Sequence, residues 1–174
     1  MFVVVFEVPP KKGRWNDYLE LARFLKPRLE AIDGFIDNQR FSSERAEGRV
    51  LSLSTWRDEK AVLRWPVQVE HHGARDKGRS EIFEDFHLRA GEITDDTAAP
   101  ADVPVQQHRF DEAKVGAASM ATITELEARE GSSLGARREL LAEHLGLDAR
   151  DRALVDHEVF ESIYNRGKLQ LLAS

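Results

Sequence analysis

The side chains best suited to chemistry lie within residues 56–79, where two tryptophans precede a histidine. Trp65 can stack on a flat aromatic ligand and donate one hydrogen bond through its indole nitrogen. A histidine such as His71 titrates near neutral pH and can take a proton from a phenol or an enol. The resulting carbanion-like species can pass an electron to O2. This pattern predicts Trp65 and His71 as a catalytic pair acting on a small aromatic molecule.

Each of these residues also has a structural interpretation. Aromatic residues on helices usually pack in the core, so Trp65 is also typical of a core residue, and His71 of a residue that caps or packs against a loop. Trp56 ends a predicted strand and is more typical of structural packing, but it is carried here as a candidate substrate contact. The surroundings of these side chains decide between the two interpretations.

Hydrophobic periodicity places the tryptophans in a β-α-β-β-α-β series of elements, the split βαβ arrangement. Apolar runs predict strands at residues 2–8, 34–43, 49–56 and 83–93, and helical spacing predicts helices at 15–32 and 58–77. Asp58 is the expected N-cap of the second helix. Pro27 predicts a kink in the first helix, and Pro66 divides the second helix into two pieces.

Three polar residues on the predicted strands are candidate substrate contacts. Asn38 and Arg40 share one side of the second strand, because side chains alternate along a strand. Glu7 comes from the first strand. These side chains either supply polar groups to a ligand or face water.

Composition limits the classes of function. Of the 174 residues, 41% are hydrophobic and 32% are charged, which is typical of a globular protein. The net charge of −6 disfavours non-specific nucleic-acid binding. The absence of cysteine excludes disulfides, thiolate catalysis and cysteine metal sites, and it fits a reducing cytoplasm. No apolar run reaches membrane-spanning length, so we expect no membrane partner. Together with the net charge and the absence of cysteine, this predicts a cytoplasmic protein without nucleic-acid partners.

The second half of the sequence resembles a shortened copy of the first. Residues 96–117 predict a linker between a domain at 1–95 and a partial βαββ repeat or extension at 118–174. Strand, helix and hairpin follow in the same order in both halves, and in the second half they are predicted at 120–126, at 134–147, and at 155–164 with 168–173. An ungapped alignment places Phe41–Ser43 on Phe160–Ser162 and Gly48–Val50 on Gly167–Leu169. Because hairpins resemble one another, chance similarity is the alternative.

A set of spaced residues carries a resemblance to a known family. The residues are Gly34-Phe35, Trp56-Arg57-Asp58, Trp65, Glu70-His71 and Gly78-Arg79. Over residues 1–95 the sequence resembles the antibiotic biosynthesis monooxygenase family. The resemblance implies an α+β fold with a ferredoxin-like βαββαβ antiparallel sheet, paired with a second sheet in a dimeric α/β barrel. It also implies a pocket between sheet and helices.

Several members of this family oxygenate electron-rich aromatic substrates without metal or flavin. The resemblance therefore implies a monooxygenase with no cofactor and no metal, acting on O2 and a phenolic or quinol-like substrate. It also implies a homodimer through sheet faces, since a sheet covered by helices on one side leaves its other face wet. The alternative assembly is an intrachain pseudo-dimer, in which the second half covers that face. The alternative function is a non-enzymatic ligand-binding or stress-related protein with the same pocket.

The haem-degrading branch of this superfamily fits less well. Its members carry an asparagine on the first strand, a tryptophan on the second helix and a haem-ligating histidine about three turns later. The corresponding positions here are Glu7, Trp65 and Arg75, so only the tryptophan is retained. His71 lies one turn too early to be that ligand.

Two further motifs favour structural interpretations. Gly131–Gly135 matches the G-x-S-x-G pattern of hydrolases, but too little chain follows for that fold, so its serines are typical helix caps. His71, His72 and Asp76 lack a metal-binding spacing, because adjacent residues on a helix point apart. A solvated helix surface is expected there.

Overall fold

The computed structural model describes residues 1–65, 78–102, 105, 121–127, 145, 147 and 154–174. The chain divides into two compact units: Met1–Gln39 with Gly48–Arg109, and Arg40–Glu47 with Phe110–Ser174. The domain boundaries expected from the sequence, near residues 95 and 117, stay a prediction. The compact units differ from them by grouping the end of the second strand with the C-terminal half.

The first unit contains the elements in the order that the sequence predicts. They are β1 (Phe2–Val8), α1 (Trp15–Glu30), β2 (Phe35–Ser43), β3 (Val50–Trp56), α2 (Glu59–Arg64) and β4 (His87–Glu92). β1 pairs antiparallel with both β3 and β4, and the strand order is β4-β1-β3-β2. This is the order of the ferredoxin-like split βαβ fold, so the predicted α+β fold class is confirmed.

The second unit contains the end of β2 and three further strands. These are β5 (Thr122–Glu127), β6 (His157–Ser162) and β7 (Lys168–Ala173), in the antiparallel order β2-β6-β7-β5. The helix expected at 134–147 falls almost entirely outside the described residues. Within the described part of the chain, no helix is both long and apolar enough to cross a membrane.

Helix α1 packs through apolar residues at helical spacing. Tyr18, Ala22 and Leu29 are its buried residues, and Pro27 lies within the helix without ending it. After the helix, Gly34 takes a φ of 91°, a conformation that side chains with a Cβ rarely adopt. This residue turns the chain from α1 into β2.

Helix α2 begins at the predicted cap. The carboxylate of Asp58 accepts a hydrogen bond from the Ala61 amide at 2.8 Å. The Arg57 amide donates to the carbonyl of Gly34 at 2.8 Å, which ties the start of α2 to the start of β2. A Cβ added to Gly34 would lie 2.6 Å from the Cβ of Ala61, so the missing side chain sets how closely α2 approaches the sheet. The second helical piece expected at 67–77 lies outside the described residues.

The expected start of the fourth strand at Phe83 is wrong, because β4 begins at His87. Gly78–Ile82 forms a π-helical turn, and Phe83 makes only an isolated bridge with Pro10. The ring of Phe83 packs edge-on against Phe6, with 5.8 Å between ring centroids. Its apolar character therefore reflects core packing under a turn and not membership of a strand.

The sheet of the first unit has two faces, because side chains alternate along each strand. The helix face carries the residues that pack against the helices, including Phe2, Val4 and Trp56. The far face carries Glu7 and Leu51, which pair across β1 and β3. A site between sheet and helices takes its sheet residues from the helix face.

The two β-hairpins share the same turn. The Ser43 hydroxyl accepts a hydrogen bond from the Ala46 amide at 2.7 Å, and the Ser162 hydroxyl accepts one from the Asn165 amide at 3.0 Å. In each case the donor lies three residues after the serine. The glycines that follow also have positive φ angles, 80° at Gly48 and 87° at Gly167.

Where the hairpins meet, β2 and β6 pair in a local two-fold pattern. The Glu44 amide donates to the Val159 carbonyl at 3.1 Å, and the Ile163 amide donates to the Arg40 carbonyl at 3.0 Å. In the ungapped alignment Glu44 corresponds to Ile163 and Arg40 to Val159, so corresponding groups make the same bond in both directions. This pattern is the one that the partial repeat expected from the sequence predicts for these strands, and the repeat as a domain stays a prediction.

Candidate functional site

Trp56 and Trp65 belong to one apolar cluster on the helix face. Its buried members are Leu29, Ile32, Trp56 and Ala61, with Phe2, Val4, Phe35, Val62 and Trp65 packed against them. Trp56 is 1% exposed, and its indole nitrogen donates to the Ser54 hydroxyl at 2.9 Å. Trp56 therefore packs as a core residue, whereas Trp65 is only partly buried. The structure places both tryptophans in one cluster, Trp56 in its buried part and Trp65 packed against it.

Asn38 presents an unpaired acceptor on the helix face. Its Nδ2 donates to the Ser52 hydroxyl at 3.1 Å and to the Leu53 carbonyl at 2.9 Å. Because a carbonyl can only accept, the second bond identifies which end of the amide is the nitrogen. The other end, Oδ1, is buried and has no hydrogen-bond partner among the described residues. Leaving an acceptor in this state costs on the order of 1–3 kcal/mol, which a donor on a ligand would recover.

Two small residues of β3, Ser52 and Ser54, lie on the helix face. Ser52 bonds Asn38, and Ser54 lies between Ser52 and Trp56 along the strand. Ser52 and Ser54 are partly buried on the helix face, whereas Val50 before them and Trp56 after them are fully buried. The four residue-to-residue steps from Ser52 to Trp56 span about 13 Å along the strand. Sequence reasoning missed both serines as site residues. The available signal was the alternation of serine with leucine along β3.

Glu7 lies on the far face, so the structure does not bring it together with Trp65 or Asn38. Its side chain is buried, and its carboxylate is held by the guanidinium groups of Arg49 and Arg89. Arg49 precedes β3 and Arg89 belongs to β4, so the ion pairs link β1 to both neighbouring strands. The arrangement is that of a structural charge cluster.

Arg40 belongs to the second compact unit. Alternation along β2 places it on the same side of the strand as Asn38, as the sequence predicts. Its side chain is buried, with 9% of the residue exposed, and Nε has no hydrogen-bond partner in the part of the chain that the structure describes. Guanidinium groups bind carboxylates and phosphates through such N–H groups. Arg40 is therefore a candidate contact for an anion.

Asp33 holds α2 in place from the turn after α1. Its carboxylate accepts two hydrogen bonds from Arg57, both at 2.9 Å, and one from Arg64 at 3.0 Å. The bonds from Arg57, followed by that from Arg64, lower the pKa of Asp33 to about 2. Because these side chains are exposed, the cluster orients the helix and adds little to stability.

His71, the predicted catalytic base, lies outside the described residues, as do Arg75, His72 and Asp76. Among the residues that the structure describes, no group of three or more His, Asp or Glu side chains could hold a metal ion. The polar groups described on the helix face near the tryptophan cluster include those of Asn38 and the two serines of β3.

Comparison with known proteins decides the family. Residues 1–77 match the sequence profile of the family described as antibiotic biosynthesis monooxygenase. The whole chain is 36% identical, over 179 aligned residues, to a Pyricularia oryzae protein named Jasmonate monooxygenase ABM, of which the alignment covers 81%. The chain belongs to the antibiotic biosynthesis monooxygenase family. The resemblance found in the sequence is thereby confirmed, and the chain is an enzyme of the monooxygenase type.

Other relatives match a smaller part of the chain. The uncharacterized protein YqjZ of Bacillus subtilis is 33% identical over 52 residues, which are 30% of this chain and 46% of that protein. Among solved structures, an antibiotic biosynthesis monooxygenase from Deinococcus radiodurans has a TM-score of 0.51 at 13% identity, covering 57% of this chain and 99% of that one. Rv0793 from Mycobacterium tuberculosis has a TM-score of 0.51 at 12% identity, covering 56% of this chain and 98% of that one. These structures show the shared fold.

Proposed function

We propose that the chain oxygenates a phenolic or quinol-like aromatic substrate with O2, without a cofactor, on the helix face of the first unit. The observation that carries this proposal is the buried, unpartnered Oδ1 of Asn38. An amide oxygen can only accept a hydrogen bond, so it selects a ligand that presents a donor, such as a phenolic O–H. A carboxylate or a ketone would leave this oxygen unpaired.

Trp65 supports the aromatic part of the proposal. It packs against the cluster around Trp56 and is only partly buried, which leaves ring surface for a flat ligand to stack on. Ser52 and Ser54, which lie on the helix face of β3 from the contact with Asn38 toward this cluster, are small and only partly buried. A ligand of one or two fused rings is short enough to lie within the roughly 13 Å of this stretch of β3.

In the proposed reaction the phenolic O–H donates to Asn38 Oδ1 when the substrate binds, and His71, which lies outside the described residues, then takes this proton. The phenolate passes an electron to O2, and recombination at a ring carbon gives a hydroperoxide that loses water. One oxygen atom enters the ring, which ends as a quinone, and the other leaves as water. The substrate supplies all the electrons, so the balance requires no external reductant.

The test uses 1-naphthol as substrate under 18O2, with the product analysed by mass spectrometry. We expect 1,4-naphthoquinone that carries one labelled oxygen. Asn38→Ala should lower kcat/KM by roughly tenfold through the lost hydrogen bond. The matched control is Gln39→Ala, whose amide bonds the exposed Asp37 at 2.8 Å and should leave kcat/KM unchanged. Unlabelled quinone, or an unchanged kcat/KM in Asn38→Ala, contradicts the proposal.

Jasmonate is a second candidate substrate, because the Pyricularia oryzae relative bears that name. The observation that favours it is Arg40, whose buried Nε without a partner suits a carboxylate. The same 18O2 experiment separates the candidates when jasmonate is tested with and without NADPH, since hydroxylation of a non-aromatic carbon consumes two further electrons. If 18O appeared in products of jasmonate and not in naphthoquinone, jasmonate would replace the phenolic aromatic as the proposed substrate.

Assembly and location are part of the same proposal. We infer a cytoplasmic homodimer through sheet faces, with an intrachain pseudo-dimer as its alternative. Support comes from the need to cover the second face of a four-stranded sheet. Sedimentation velocity over a range of concentrations separates a dimer from a monomer. A protein that binds 1-naphthol without turning it over would instead match the non-enzymatic alternative.

A further inference from the structure

The internal repeat extends to a charged pair. β5 pairs with β7 as β1 pairs with β3, and the two registers align Glu125 with Glu7. Glu7 forms an ion pair with Arg49, and Glu125 forms one with Lys168 at 2.9 Å. Lys168 is the residue that the ungapped alignment of the hairpins places on Arg49. The two copies therefore share an ion pair as well as a turn, and their positions correspond residue by residue.

At the positions of β7 that correspond to the helix-face positions of β3, however, the second copy differs from the first. Ser52 and Ser54 of the first copy are partly buried. They correspond to Leu171 and Ala173 of the second copy, which are 1% and 4% exposed. Leu169, on the same face of β7, has no exposed surface. Buried apolar side chains, of which Leu171 is larger than the corresponding serine, thus occupy in the second copy the stretch where the serines of the first are only partly buried.

We propose that each chain has one ligand-accessible site, on the first copy, and that the second copy is a closed version of the same surface. The class of ligand, a phenolic aromatic, rests on the proposed function. The difference between the copies rests on burial and residue type alone. A ligand that entered the second copy would have to displace fully packed side chains of β7, which close-packed interiors resist.

The absence of cysteine in the chain allows a direct test. Ser54→Cys and Ala173→Cys each introduce one thiol at corresponding positions through a small change in volume. We expect iodoacetamide to modify Ser54→Cys at least roughly tenfold faster than Ala173→Cys in native buffer, because a buried thiol reacts only after local opening. Equal rates, or no reaction of either variant, would overturn the proposal. Ser52→Cys and Leu171→Cys form a second pair should one variant fail to fold.

The ligand is tested separately on the same proteins. Saturating 1-naphthol should slow the modification of Ser54→Cys, and native mass spectrometry of the unaltered chain should show one bound equivalent. Two bound equivalents per chain would refute the single site. Unequal labelling without protection by 1-naphthol or jasmonate would support the closed second copy and contradict the proposed function.

Discussion

Gly34 lies directly against Ala61, and a Cβ added to Gly34 would lie 2.6 Å from the Cβ of Ala61. Gly34 also has a φ of 91°. We therefore expect Gly34→Ala to lower the free energy of unfolding by about 3 kcal/mol, from overpacking and backbone strain together. Urea denaturation measures this loss. In the matched variant Gly13→Ala, φ is 79° and no atom lies within 4 Å of the added Cβ, so a loss of about 1 kcal/mol is expected. Equal losses in both would show that the contact with Ala61 is unimportant.

The two clustered tryptophans should separate stability from function. Trp56→Leu removes much of a ring that is 1% exposed and should cost about 3 kcal/mol of unfolding free energy. Trp65→Ala should instead weaken binding of the aromatic substrate by about 1–3 kcal/mol through lost stacking. Chemical denaturation and KM with 1-naphthol measure the two effects. An unchanged KM in Trp65→Ala would remove this residue from the site.

His71→Ala should leave substrate binding nearly intact and slow oxygenation by roughly a hundredfold, because the variant lacks the proposed base. The neighbouring His72→Ala serves as control and should oxygenate at the normal rate. Initial rates between pH 5 and pH 9, a range of about two units on either side of neutrality, should lose their low-pH limb only in His71→Ala. A normal rate in that variant rules out this base.

The far-face carboxylates should contribute unequally to stability. Glu7 is buried and forms ion pairs with Arg49 and Arg89, whereas the side chain of Glu125 is 38% exposed and forms an ion pair with Lys168. Glu7→Gln should therefore lower the free energy of unfolding by about 2 kcal/mol, and Glu125→Gln by less than about 1 kcal/mol. Thermal and urea unfolding of the pair test this order. If Glu125→Gln lost more unfolding free energy than Glu7→Gln, the carboxylate that stabilises the fold would be that of the second copy.

Acid should loosen the start of α2 only at low pH. Hydrogen bonds from Arg57 and Arg64 lower the pKa of Asp33 from 3.8 to about 2, and the Ala61 amide lowers that of Asp58. A carboxylate with a lowered pKa stabilises the fold fully above its ordinary pKa, and this stabilisation is lost as pH falls from about 4 through about 2. Tryptophan fluorescence follows the change. Asp33→Asn should flatten this acid dependence, and an identical profile would contradict the assignment.

The sequence predicts the elements whose causes are local. Apolar runs locate β1 and β7 at their observed bounds, and Asp58 is recognisable as a cap because cap chemistry depends on the next three residues. The start of β4 at His87 was not predictable in this way. Phe83 looks like a strand residue until the π-helical turn carries its ring onto the core.

The candidate site depends on tertiary relations that no local pattern contains. Glu7 and Asn38 both look like polar strand residues, and only strand register places them on opposite faces of the sheet. The unpaired oxygen of Asn38 becomes visible only when its nitrogen is seen to bond β3. Similarly, the ungapped alignment of the hairpins does not place Glu125 on Glu7. The strands that precede the hairpins, β1 and β5, correspond only when the alignment is shifted by one residue.

The hydrogen bonds between β2 and β6 join two copies of a hairpin that belong to one covalent chain. Separate subunits would form such bonds only to the extent that their concentration allows. A covalent tether instead gives each strand an effective concentration of its partner on the order of millimolar, whatever the dilution. The tether also fixes the ratio of the copies at one to one. Substitutions can therefore accumulate in one copy alone, as at Ser54 and Ala173, which identical subunits of a homodimer cannot do.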